Sequence, residues 1–386
     1  MKERIDQIVD RHADQLLQKV ADGEPVSQEE FEALKRLAGL ADLAATAHSK
    51  RLRTWPIAVA AALTLALVSA LLFLRVSSTE IELEAKLSEI SFTVTSRQAI
   101  LGTQNFLSLG ADGLQDVKLP QASSGAPREL GAVSGELCNA EISLAEKPSS
   151  PGAVSLNALA VPAGTTISLT YPAANRVALA LKPPPSERLD VALSVKGIIR
   201  AIAHCPTQII NEEDTYSSPQ LIELAGAPSA PLALQFTLLP GATMAFSSQM
   251  GVADIALFQV DQLVEGTSAL ARKVSSLLSG VLYLESLNGK QVALRSYEEL
   301  RFAGSTGVIR KLALSSPGGS EEGSLALHAY ANVRGMTIGT QSNVRSLMPT
   351  YLEWLSARQG VALLWGSTLY LTGLLASMLR WLKISR

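Results

Sequence analysis

Few residues in this chain have types and spacing that could do chemistry. The sequence holds 2 cysteines and 4 histidines, too few for a zinc-bound or disulfide-dense scaffold. His204 and Cys205 are adjacent, and a Cys/His pair can act as nucleophile and base. Neighbouring side chains on a strand point to opposite faces, however, so these two would not meet. We therefore predict no catalytic residue here.

Two other polar features have simpler interpretations. The segment Asn211–Asp214 carries oxygen ligands, but a calcium loop needs ligands at alternating positions around a glycine turn. We interpret this segment as a solvated loop. His328 lies on the polar phase of an apolar alternation, which is typical of a solvated strand residue. Because the common catalytic and phosphate-binding motifs are also missing, the sequence predicts no enzyme, no metal site and no cofactor.

Cys138 and Cys205 are candidates for a disulfide. An oxidising compartment would permit the bond, which would close a long loop and contribute roughly 4 kcal/mol in the chain-entropy model. Two buried free thiols are the alternative, because a sequence does not show whether two cysteines are adjacent in the fold.

Two long uncharged runs stand out in the sequence. The runs extend from Trp55 to Leu74 and from Gln359 to Leu379, and each matches the ~20 residues that cross a bilayer as a helix. Buried core helices are the alternative, but such helices usually carry a polar stripe. With positive charges flanking both runs, we expect a signal anchor and a second span in a bacterial inner membrane. Both termini would be cytoplasmic and residues 76–358 extracytoplasmic.

Small residues recur at helical spacing in both runs. Such faces let helix backbones approach closely in lipid, although alanine is also simply common here. The helix-packing candidates are Ala58, Ala62, Ala66, Ala70, Gly366 and Gly373.

Residues 1–54 are rich in charge and have the pattern of a helical hairpin. Apolar residues recur at helical spacing, a Gly-Glu-Pro break follows, and Ser27 with Glu30 forms a capping box. Two short helices cannot bury both apolar faces alone, so we expect a cytoplasmic protein partner or a homo-oligomer. A weakly ordered helix is the alternative. The partner-contact candidates are Ile5, Ile8, Val9, Leu16, Phe31, Leu34 and Leu37.

The large middle region has the pattern of a β-protein. Apolar and polar residues alternate in many short segments, and Pro/Gly-rich turns separate them. The dipeptide Asn288-Gly289 predicts a two-residue hairpin turn, and only Ala269–Leu278 has a helical pattern. A weak internal similarity, if it is a true duplication, divides the region into two modules near residue 228; chance recurrence of short apolar segments in an Ala/Leu-rich chain is the alternative.

The predicted fold class is a two-span α-helical membrane protein with a large all-β, sandwich-like extracytoplasmic region and a short cytoplasmic helical hairpin. The predicted divisions are a hairpin at 1–54, spans at 55–75 and 359–380, β-modules at 76–228 and 229–350, an interfacial linker at 351–358 and a tail at 381–386.

These features predict a non-enzymatic, membrane-anchored scaffold or sensor that links the β-region to a cytoplasmic partner. The alternative is an oligomeric structural subunit of a bacterial envelope assembly, and a third class is an extracytoplasmic hydrolase with an unrecognised site. The expected partners are the lipid bilayer and a protein. A net charge of -2 argues against nucleic acid.

Overall fold

The computed structural model describes most of the chain after residue 61. The described ranges are 62–120, 127–131, 136–145, 152–173, 175–206, 208–239, 241–263, 270–315, 324–340 and 343–384, together with isolated positions between 11 and 39. The chain divides into two compact units, Met1–Leu74 and Arg75–Arg386. Several predicted contact residues lie outside the described residues, and their contacts stay a prediction: Ile5, Ile8, Val9, Leu16, Phe31, Leu34, Leu37 and Ala58.

The second unit consists mainly of strands. Their bounds are β1 Thr79–Leu87, β2 Glu89–Val94, β3 Gln98–Leu101, β4 Gln104–Leu119, β5 Arg128–Gly131, β6 Cys138–Leu144, β7 Ala153–Leu156, β8 Leu159–Val161, β9 Thr166–Ala173, β10 Arg176–Lys182, β11 Asp190–Cys205, β12 Gln208–Gly226, β13 Leu232–Leu238, β14 Thr243–Ala245, β15 Met250–Ala256, β16 Phe258–Leu263, β17 Leu270–Ser275, β18 Leu277–Leu284, β19 Lys290–Leu294, β20 Glu299–Ser315, β21 Ser324–Thr340 and β22 Asn343–Ser346. A 3-10 turn at Glu285–Leu287 follows β18, and a helix, α1, spans Tyr351–Ile384.

The strands form where apolar and polar residues alternate. In β1, Ile81, Leu83 and Leu87 are buried, while the glutamates between them face outward. Period-2 alternation places every second side chain on one face of a strand. The inner faces share one core, in which the rings of Phe106 and Phe236 lie 4.5 Å apart. Burying each such side chain stabilises the fold by about 1.5–3 kcal/mol.

Hydrogen bonding joins most strands into one antiparallel set. Pairing continues from β19 through β18, β1, β21, β20, β15, β2, β9, β10 and β13 to β4. The long strand β4 then pairs with β6 and β7, and farther along with β12 and β5. Strand β11 lies between β12 on one side and β6 and β7 on the other.

This pairing corrects the predicted sandwich. The principal strands belong to one connected set rather than to two separate facing sheets. Strand β1 pairs with β18 and β21, and β2 pairs with β15. Backbone hydrogen bonds therefore cross the tentative module boundary at residue 228. Alternation alone identifies strands but does not say which strands become neighbours.

One local prediction in the β-region is wrong, and another is right about the hairpin but wrong about the length of its loop. The segment predicted as a helix at Ala269–Leu278 falls on β17 and the start of β18. The hairpin between β18 and β19 has a five-residue connection, because Leu284 pairs with Lys290. Asn288 and Gly289 do have positive φ angles of 56° and 72°, but they end a 3-10 turn instead of forming a two-residue loop.

The first turn of α1 is held by several polar contacts. The Thr350 hydroxyl accepts the Glu353 N–H at 3.2 Å, and Glu353 accepts the Thr350 N–H at 2.9 Å, which is a capping box. Asn288 Nδ2 donates to the Ala357 carbonyl at 2.9 Å. Nearby, Arg75 Nη1 donates to the Met348 carbonyl at 2.6 Å. The first and last residues of the β-region are thus joined directly.

The two predicted transmembrane helices are wrong. Among the described residues, no helix is both long enough and apolar enough to cross a membrane. The second uncharged run lies in α1, which has a non-helical residue at Gln359. Of the first run, the structure describes residues 62–74, of which 62–73 are helical, and residues 55–61 lie outside the described part of the chain.

The fold class and the location that rested on those spans are corrected with them. The signal anchor, the inner-membrane location, the cytoplasmic termini and the extracytoplasmic assignment of residues 76–358 all depended on two crossings. What the structure has instead is a mainly β fold followed by the helix α1.

Candidate functional site

A polar cleft lies on the outer face of β4, β6, β10, β11 and β13. Its volume is about 510 Å³. The polar residues that line it are Asp112, Asn139, Glu141, Arg176, His204 and Gln235. They come from five strands, so only the folded sheet brings them together.

Gly110, which has no side chain, leaves space in the polar cleft. On one side Gly110 pairs with Gln235, and on the other side it pairs with Glu141. A Cβ atom at Gly110 would lie 3.7 Å from Gln235 Cβ, an ordinary contact. The glycine therefore leaves space between two larger outward-facing residues.

The polar cleft carries charges of both signs. Among the described residues, Asp112, Glu141 and Arg176 take part in no ion pair. Asp112 and His204 are both cross-strand partners of Asn139. Because neither sign is neutralised by a neighbour, the cleft offers a cation and two carboxylates to a ligand.

His204 and Cys205 lie on opposite faces of β11. The His204 side chain is exposed in the polar cleft, whereas Cys205 is buried. Cys205 forms a disulfide with Cys138, with the sulfurs 2.06 Å apart. The bond joins β11 to β6 one residue away from the cross-strand pair of His204 and Asn139. It therefore fixes two strands that supply one end of the cleft.

A second polar group, the carboxylate–histidine cluster, consists of Glu82 and Glu84 on β1 and His328 and Tyr330 on β21. His328 Nε2 lies 2.8 Å from Glu82 Oε1 and 3.9 Å from Glu84 Oε1. The Tyr330 hydroxyl donates to the same Glu82 oxygen. Strand register explains the grouping, because Glu82 pairs with Tyr330 and Glu84 pairs with His328.

Hydrogen bonds within the carboxylate–histidine cluster shift the pKa values of two of its members. The Tyr330 hydroxyl and then the His328 ring lower the pKa of Glu82 below its ordinary value. Conversely, the hydrogen bond to Glu82 raises the pKa of Tyr330. The Arg310 guanidinium lies 3.9 Å from the centre of the Tyr330 ring, in cation–π contact. Glu82 is thus held ionised and oriented.

The sequence alone does not predict the carboxylate–histidine cluster. His328 was expected to be a solvated residue, but its side chain is only 27% exposed and it contacts Glu82. The sequence does contain two pairs of polar residues spaced two positions apart, Glu82 and Glu84 on β1 and His328 and Tyr330 on β21. Because 246 positions separate Glu82 from His328, the sequence does not indicate that the two pairs are neighbours.

The segment Asn211–Asp214 is part of β12, so the predicted loop is wrong. Glu212 forms an ion pair with Arg128. The Tyr216 hydroxyl donates to the Pro120 carbonyl at 2.9 Å and lies 3.3 Å from an Asp214 oxygen. Burial, followed by the charge of Asp214, raises the pKa of Tyr216 to about 12.

The two glycines among the helix-packing candidates have no close neighbour among the described residues. A Cβ atom at Gly366 or Gly373 would find nothing within 4 Å in the described chain. Ala62 and Ala66 are exposed, and Ala70 is half-buried.

Comparisons with known proteins leave the class of this chain open. No protein-family model matches it, and no curated protein is significantly similar to it. Two solved structures, titled "Crystal structure of CghA" and "Crystal structure of CghA with Sch210972", share 8% identity over 66% of this chain and 88% of theirs. Their TM-score is 0.09, so this similarity carries no structural argument.

Proposed function

We propose that this chain is a non-enzymatic binding protein that takes a small zwitterionic ligand in the polar cleft. The observation that carries the proposal is a cleft of about 510 Å³ lined by unpaired charges of both signs. Ligand sites commonly measure about 300–1,000 Å³. The cleft is therefore large enough for an amino acid or a short peptide.

The charges suggest how such a ligand would bind. The Arg176 guanidinium matches the planar geometry of a carboxylate. Asp112 and Glu141 would receive an ammonium group, and the amides of Asn139 and Gln235 would bind neutral polar groups. A ligand with both charges satisfies the cleft better than an anion or a cation alone.

A binding role is favoured over catalysis by the surroundings of His204. Its neighbour Cys205 is committed to a disulfide. Within the described chain, no hydroxyl or thiol group forms a hydrogen bond with His204. Nucleophilic catalysis requires such a pair. Ligand capture by the β-region, together with a protein partner for residues 1–54, would make the chain a sensor or scaffold.

The test uses a cleft-filling variant and a matched control. Gly110→Met places a long side chain in the cleft, where its Cβ would make only ordinary contacts, at 3.7 Å and 3.9 Å from Gln235 atoms. Gly102→Met adds the same side chain where nothing lies within 4 Å. Thermal unfolding would be measured with panels of amino acids, dipeptides and neutral sugars. A ligand at 100 times its Kd stabilises by about 2.7 kcal/mol.

We expect at least one zwitterion to raise the Tm of the wild type and of Gly102→Met but not of Gly110→Met. Stabilisation only by neutral sugars would contradict the zwitterion. An equal response of Gly110→Met would place binding elsewhere, and no response to any panel would reject the proposal.

A further inference from the structure

We infer that Glu82, Glu84 and His328 form a binding site for a divalent transition-metal ion of the Zn²⁺ type. Each residue supplies one ligand atom, and the three atoms lie within 4.8 Å of one another. The site is on β1 and β21, away from the strands of the polar cleft. It is therefore independent of the proposed ligand binding.

The distances between the donor atoms suit one shared ion. At metal–ligand bonds of about 2.1 Å, donor atoms lie about 3.0–3.4 Å apart for octahedral or tetrahedral angles. The separations of 2.8 Å and 3.9 Å from His328 Nε2 to Glu82 and Glu84 bracket that range. Glu84 is 54% exposed, so its carboxylate has room to rotate and close the remaining gap.

The backbone holds the three donors together before any ion arrives. Glu84 and His328 are direct partners across β1 and β21, and Glu82 lies two residues along β1 on the same face. Strands carry side chains with less freedom than loops do, which favours a preorganised site. Little ordering would be required when an ion binds.

Tyr330 is a positioning residue in this site. Its hydroxyl donates to the Glu82 carboxylate and so orients a ligand, as outer-shell hydrogen bonds do around metals. Arg310 packs over the Tyr330 ring and fixes the ring in turn. Because Glu84 is 54% exposed, water can reach the site and would fill the remaining coordination positions.

The donor set selects the class of ion. Imidazole nitrogen suits Zn²⁺, Cu²⁺ and Ni²⁺, whereas Ca²⁺ and Mg²⁺ prefer sites made of oxygen alone. For Nε2 to bind the ion, the proton that it shares with Glu82 must move to Nδ1 or be released to solvent. Two carboxylates and one neutral imidazole then balance the charge of a divalent ion. We therefore expect Zn²⁺ to bind more tightly than Ca²⁺ or Mg²⁺.

The test measures Zn²⁺ binding to the full chain by competition with a chelating dye, after metal removal. We expect one saturable site that is weakened at least about 10-fold in His328→Gln and in Glu84→Gln, because each loses a ligand. Tyr330→Phe should weaken binding less than either ligand variant, since it loses only an outer-shell bond. Titration with Co²⁺ should give visible absorption bands that His328→Gln lacks.

Glu80→Gln is the matched control, because Glu80 is the preceding outward carboxylate on β1 and lies outside the cluster. His204→Gln controls for the exposed histidine of the cleft. Both should bind Zn²⁺ like the wild type, and circular dichroism should show that all variants are folded. The inference is overturned if the wild type has no saturable site, if His328→Gln and Glu84→Gln bind as tightly as the wild type, or if Glu80→Gln is weakened as much as they are.

Discussion

His328 Nε2 lies 2.8 Å from Glu82 Oε1, although 246 positions separate the two residues. The contact joins β1, the first strand of the fold, to β21, one of the last. Because both side chains are mostly shielded from solvent, their hydrogen bond should contribute to stability as well as to any metal site.

Replacing Glu82 should change the stability of the fold in a pH-dependent way. The pKa of Glu82 is lower in the folded state than its ordinary value of 4.5. Its contribution is therefore fully present above that value and is lost as the pH falls through the lowered pKa. We expect Glu82→Gln to lower the Tm at neutral pH, and the difference from the wild type to vanish in strong acid. Thermal unfolding as a function of pH measures this. Glu80→Gln should show no such convergence.

Tyr216 should limit stability in alkali. Its folded pKa is about 12, against 10.0 for the free side chain. The unfolded chain loses this proton first, so the contribution is complete below pH 10.0 and disappears as the pH rises toward 12. Spectrophotometric titration should show a late tyrosine step that is missing in Tyr216→Phe. A titration curve identical to that of the wild type would contradict the buried hydrogen bond to Pro120.

Removing the disulfide should destabilise the β-region by about 2–5 kcal/mol, as is typical of native bonds that close long loops. Cys138→Ala/Cys205→Ala should unfold at lower urea concentration than the oxidised wild type. Equilibration with a thiol reductant should lower the wild type to the level of the variant and leave the variant unchanged. An oxidised wild type with two titratable thiols would show that the bond is not made.

Gly307 should tolerate no side chain. A Cβ atom there would lie 2.0 Å from the Tyr330 carbonyl oxygen and 2.6 Å from Ala331 Cα, so β20 and β21 would have to separate. We expect Gly307→Ala to cost about 1–3 kcal/mol, the usual penalty for overpacking. Gly102→Ala is the control, because nothing lies within 4 Å of it. Urea unfolding distinguishes the two, and equal midpoints would refute the close approach.

Gly307→Ala should also disturb the carboxylate–histidine cluster. The displaced strand carries Tyr330, which holds Glu82. Any Zn²⁺ affinity should therefore fall in this variant although no ligand has been changed.

Alternation of side chains identified many strands of the β-region. In β13, for example, Leu232, Leu234, Phe236 and Leu238 are buried and alternate with residues that face outward. Strand neighbours could not be predicted in the same way, because pairing depends on contacts between distant segments. The partnership of Glu84 with His328 is of this kind, and both candidate sites depend on such partnerships.

The errors concern segments in which one pattern fits two structures. Ala269–Leu278 has apolar residues at spacings that suit a helix, but strand pairing prevails. The uncharged run within α1 has the length of a membrane span, which is the other structure that its pattern fits. Hydrophobic runs of this type are ambiguous without their tertiary surroundings.

The contact between the two ends of the β-region has a mechanical consequence. Val76 donates its N–H to the Pro349 carbonyl at 3.0 Å, beside the hydrogen bond from Arg75 to Met348. Tension applied at these two ends would act on these two hydrogen bonds before it reached the long central strands. The β-region would therefore yield first at its point of entry, with both the polar cleft and the carboxylate–histidine cluster still intact.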